Sequence, residues 1–135
     1  MLRVLVDADN VVAQRVEPVL ALFADVPDVR ITASGRPEAL DRVSWPVGSE
    51  LLAHAGWQRA DVALAESYEP SDDPLVLISG DGDFGLLASR HPGPVLVVSG
   101  SPSGRLRDGT TVVDPALEGL APVRAWLNAS LGRSD

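Results

Sequence analysis

The chain has 135 residues, no cysteine and a net charge of −8, which is one domain's length and enough to bury a real core. Disulfides and thiolate metal sites are excluded, and no apolar run approaches the ~20 residues of a membrane span. All eleven basic residues are arginine; mechanisms that need a lysine are closed, and a nucleic-acid partner would require a local arginine patch or a bridging metal. Residues 1–6 are too short and too soon interrupted for a signal peptide, so the cytoplasm is the expected compartment.

Val4–Val6 open a buried strand, because successive apolar residues suit a strand covered on both faces. Residues 16–24, VEPVLALFA, read as a helix with Pro18 in its first turn. DVRIT (28–32) predicts a second strand, and RPEALDRV (36–43) a helix with Pro37 near its start. Residues 44–58 are ambiguous; a short strand near Trp45–Val47 is expected, then a loop or helical turn. DVALAESY (61–68) reads as a helix capped by Asp61. After the loop EPSDDP come a strand at Leu75–Ser79 and a helix from Phe84 to Arg90. GPVLVVSG (93–100) is another buried strand, and TTVVD (110–114) a sixth. Leu120, Val123, Trp126, Leu127 and Leu131 recur at helical spacing, which predicts a final helix on the sheet. There is no repeat or linker, so residues 1–135 form a single domain.

Strands alternating with helices imply a doubly wound α/β fold, a mostly parallel sheet of five or six strands with helices on both faces. Such sheets bind ligands at the carboxyl ends of their strands, where strand order reverses. In a 3-2-1-4-5 order the first and fourth strands are neighbours. Both end in acids: VLVDADN delivers Asp7, Asp9 and Asn10, and LVLISGDGD delivers Asp81 and Asp83.

Taken singly these residues are ordinary. An aspartate after a strand is commonly a turn residue or helix cap, Asp61 and Asp83 are placed to cap helices, and Gly80 and Gly82 suit tight turns. Together they are not. Two carboxylates about 5 Å apart repel by roughly 3 kcal/mol at an effective dielectric near 20, so a cluster needs a cation or protonation. Oxygen ligands without cysteine or a histidine pair point to Mg²⁺ or Mn²⁺, and such an ion to phosphoryl chemistry.

VLVDADNV, ADVALAES and LVLISGDGDFGLLA, in that order, resemble the NYN domain family, a branch of the PIN-like ribonucleases. The resemblance covers most of the chain to about Ser99. It implies a doubly wound sheet and metal-dependent cleavage of RNA, single-stranded RNA being the expected partner. By it Asp7, Asp61, Asp81 and Asp83 are the catalytic and metal-binding acids, with Asn10 supporting Asp7. The chain departs from the pattern at Glu66 and Ser67, where members often carry a further aspartate, and Asp9 is an extra acid. Ser79 joins Asn10 as a candidate substrate contact. Arg105 and Arg107, in the loop SGSPSGRLRDG at the same sheet edge, are candidates to grip the phosphate backbone.

Two other readings compete. Asp7-Ala-Asp9-Asn10 also resembles the nucleophile and acid pair of haloacid-dehalogenase-like phosphatases, although the lysine of that family is missing. A non-catalytic module that binds RNA or a protein is the other. His54 and His91 read as isolated, structural or exposed side chains, and the tryptophans and Tyr68 as packing. A protein partner or homodimer stays open.

Overall fold

The computed structural model describes residues 1–54, 68–79, 90–99 and 110–132. Six parallel strands form one sheet in the order β3-β2-β1-β4-β5-β6. They are β1 (Leu2–Asp7), β2 (Val29–Gly35), β3 (Glu50–Ala53), β4 (Leu75–Ile78), β5 (Val95–Val98) and β6 (Thr110–Val113). The helices among the described residues are α1 (Ala13–Ala24), α2 (Pro37–Asp41), α3 (Pro115–Glu118) and α4 (Ala121–Ser130). The α/β class and the inner order 3-2-1-4-5 are as expected; the sheet is wholly parallel rather than mostly so, and β6 extends it.

The central strands are apolar at every position because both their faces are covered. Val4 and Val6 of β1 join Val76, Ile78, Leu96 and Val98 in one large cluster, while Leu5 faces the opposite way with Leu75, Leu77, Val95 and Val97. The large cluster is closed by α1, whose Val16, Val19, Leu20 and Phe23 are buried at helical spacing, and by Val123 and Leu127 of α4. Leu40 of α2 packs on the same side. The helices expected at 61–68 and 84–90 lie, apart from Tyr68 and Arg90, outside the described residues.

Two expectations are corrected. The helix α1 starts at Ala13, with Val12 accepting from the amides of Arg15 and Val16, so Pro18 falls in the second turn. There it withholds the amide that Gln14's carbonyl would have accepted; Gln14 and Pro18 both lie on the exposed side, away from the core. The third strand is Glu50–Ala53, not Trp45–Val47. Trp45 instead packs against the core and donates its indole N–H to the Leu40 carbonyl at 2.8 Å, an anchor for the chain leaving α2.

At the opposite end of the sheet from the acids, Tyr68 and His91 form a small network. His91 Nε2 lies 2.6 Å from the Asp73 carbonyl, and Nδ1 lies 2.7 Å from the Tyr68 hydroxyl. A carbonyl only accepts, so the Nε2–H donates to it, and Nδ1 shares a hydrogen bond with the Tyr68 hydroxyl. Burial raises the Tyr68 pKa above 10.0, against the lowering effect of Arg3. The neutral phenol is therefore favoured in the fold: its contribution to stability is complete below pH 10 and is lost as pH rises through the raised value. Tyr68 is the chain's only tyrosine, so ultraviolet titration should give one tyrosinate transition with a midpoint above 10, accompanied by loss of stability; a midpoint at or below 10 would contradict the burial.

Candidate functional site

The strand registers place Ala33, Val6, Ile78, Val98 and Val113 on a single rung across β2, β1, β4, β5 and β6. The residue after each is Ser34, Asp7, Ser79, Ser99 or Asp114. Five neighbouring strands thus change from aliphatic to polar at the same step, at the carboxyl edge of the sheet. Ser34, Asp7, Ser79 and Ser99 are all buried, at 0%, 1%, 2% and 2% exposure. A buried polar row is costly unless its groups have partners, so its position matters: the centre of the row is the point where β1 and β4 meet and the strand order reverses.

Asp7 sits at that centre. Its Oδ2 accepts from the Asn10 amide at 2.7 Å and from the Ser79 hydroxyl at 3.3 Å. Asn10 is brought back by a single 3-10 turn, Ala8–Asn10, directly after β1. Ser79 arrives from 72 residues away through the pairing of β4 with β1. Of the residues singled out in the sequence, Asp7, Asn10 and Ser79 are therefore brought together. Asp61, Asp81, Asp83, Arg105, Arg107, Glu66 and Ser67 lie outside the described residues. Among the described residues no group of three or more His, Asp or Glu side chains could enclose a metal ion.

Asp9 turns the other way. Its Oδ1 accepts from the Arg36 backbone amide at 2.9 Å, and its Oδ2 lies 3.0 Å from His54 Nε2. The latter is a close approach rather than an aligned hydrogen bond. His54 is buried and extends the β2–β3 ladder, its amide donating to the Gly35 carbonyl. A side chain at Gly35 would put a Cβ 2.9 Å from that of Ala8, so glycine is what lets the 3-10 turn lie against β2. Asp9 and His54 together clasp the turn that carries Asn10. His54, read as isolated from the sequence, is part of the site's frame, and no sequence signal links it to Asp9.

At the far end of the polar row, Asp114 caps α3, accepting from the Ala116 amide at 3.0 Å while Glu118 accepts from the Asp114 amide at 2.8 Å. Matched against protein-family models, curated proteins and solved structures, the chain finds no counterpart in any of them. No helix among the described residues is long and apolar enough to cross a membrane.

Proposed function

We propose that this chain is a PIN-like domain of the NYN kind that hydrolyses RNA phosphodiester bonds with Mg²⁺ or Mn²⁺ at the carboxyl edge of β1 and β4. The observation that carries the reading is the convergence of Asp7, Asn10 and Ser79 at the reversal point of the sheet, with Asp81 and Asp83 following Ser79 by two and four residues in the chain. In this reading Asp7, Asp61, Asp81 and Asp83 hold the metal. Asn10 and Ser79 fix the Asp7 carboxylate, and Arg105 and Arg107 grip the RNA backbone.

Asp7 suits a hard divalent ion as one ligand of a set that the described residues do not complete. Asp7 offers carboxylate oxygen, the donor type such an ion prefers, and the neutral Asn10 and Ser79 groups hold it in place. Beside it on β2, the fully buried Ser34 hydroxyl finds no hydrogen-bond partner among the described residues, and a buried hydroxyl left so costs about 1–3 kcal/mol. An ion bound here would offset phosphate charge and acidify a water; the protein's part is to hold Asp7 at a fixed orientation and to bring the phosphate to it. Ser34→Ala is expected to leave the metal-free protein as stable or more so, by up to about 1 kcal/mol, and to weaken Mn²⁺ binding measured by calorimetry.

The clasp on Asp9 favours this reading over the phosphatase. There Asp9 would have to protonate a leaving group, but its Oδ1 is held by the Arg36 amide and its Oδ2 faces His54 at 3.0 Å. Incubation with single-stranded RNA and Mn²⁺, beside an aryl phosphate, separates the readings: RNA cleavage supports the nuclease, whereas aryl phosphate turnover with a trapped aspartyl phosphate supports the phosphatase. Metal binding with neither activity would leave a non-catalytic module.

A further inference from the structure

A cleft of about 210 Å³ opens next to Ser79, between the start of α1 and the turn from β6 into α3. Ser79 and Ser99 of the polar row line it, with aliphatic surface from Val12 and Val16 of the α1 side and from Val98 and Pro115 of the β5 and α3 side. We infer that this cleft receives one nucleobase of the RNA, with the scissile phosphate toward Asp7. The inference rests on the nuclease reading for the identity of its ligand.

Three features carry it. The first is continuity: Asn10 and Ser79, which hold Asp7, also line the cleft, so a molecule with one end at Asp7 has its next group here. The second is size. The volume falls below the roughly 300–1,000 Å³ of sites that bury drug-sized ligands, and suits a single ring system rather than two stacked bases. The third is chemistry. Aliphatic walls suit the flat apolar faces of a base. The cleft lining carries both polarities, the Arg15 guanidinium as donor and the Asp114 carboxylate as acceptor. A donor and an acceptor in the lining, with apolar surface for the faces, match the mixed N–H and C=O edge of a base; a bare sugar phosphate offers no such faces.

The test fills the cleft from its two sides. Ala116→Phe and Val12→Phe both start from exposed positions on its lining, and thermal unfolding confirms that each variant is folded. Cleavage of single-stranded RNA by the full chain in Mn²⁺ is measured alongside binding of the four nucleoside monophosphates and of ribose 5-phosphate. The expected result is a KM raised roughly tenfold with kcat little changed in both variants. Nucleoside monophosphate binding should weaken in parallel, and ribose 5-phosphate should bind the parent protein more weakly than the nucleotides. RNA cleavage with unchanged KM in both folded variants overturns the inference and spares the nuclease reading. Nucleotide binding that the variants abolish, in a protein that cleaves no RNA, overturns the nuclease reading and keeps the base site. Ribose 5-phosphate binding as tightly as the nucleotides overturns the base site.

Discussion

Asp7→Asn is expected to lower RNA cleavage at least roughly a hundredfold, with loss of measurable Mn²⁺ binding by calorimetry. The substitution keeps the shape of the side chain and removes its charge. Because Asn10 and Ser79 both donate to Oδ2, an asparagine oxygen can still accept from them, so the fold is retained and the loss reads the charge itself. Asn10→Ala and Ser79→Ala act differently. Each leaves the carboxylate in place but frees it to rotate, and each should cost roughly ten- to a hundredfold, the usual penalty for removing a group that orients a ligand. The graded order, Asp7 above its two supports, separates a metal-holding carboxylate from a structural one. An Asp7→Asn protein that cleaves at the parent rate would end the proposal.

The second large effect is on stability. Phe23 is fully buried on the inner face of α1 and belongs to the main core cluster. Phe23→Ala should cost about 3–5 kcal/mol in chemical denaturation, the sum of lost burial and the cavity left behind. Domains of this size have about 5–15 kcal/mol in total, so the variant would be close to unfolding at physiological temperature. Leu117→Ala provides the contrast: Leu117 is 85% exposed, and its change should stay within about 0.5 kcal/mol. Equal effects from the two would mean that α1 does not close the sheet as described.

The sheet was legible from the sequence where strands are buried on both faces. Residues 75–78 and 95–98 are unbroken aliphatic runs, and nothing else in a small domain accommodates them. The third strand was not legible, for a physical reason. It lies at the sheet edge, it has four residues, and only Leu52 among them is even partly buried, so it has neither an apolar run nor a clean alternation. Misplacing it hid His54, which reaches Asp9 only because β3 continues the ladder to Gly35.

The site was legible in part. Asp7 and Asn10 stood out because acids after a strand are conspicuous. Of the serines only Ser79 did, although ITAS, LVLIS and VLVVS all end in the same residue type. That repeated ending is the sequence trace of the polar row, and only the register of the strands turns it from a coincidence of composition into a line of neighbours. The pairing of Asp9 with His54 left no such trace, since it depends on where two loops happen to cross.

The joining of β1 to β4 also governs when the molecule becomes competent. Arg3 pairs with Leu75, so synthesis must pass residue 75 before the innermost ladder can close. Wholly parallel sheets contain no hairpins to nucleate from, and contacts this distant in the chain make folding slow. A nascent fragment ending before residue 75 carries Asp7 but not the strand that presents Ser79. Whatever chemistry the edge supports is thereby withheld during synthesis, and appears only once the late strands have docked.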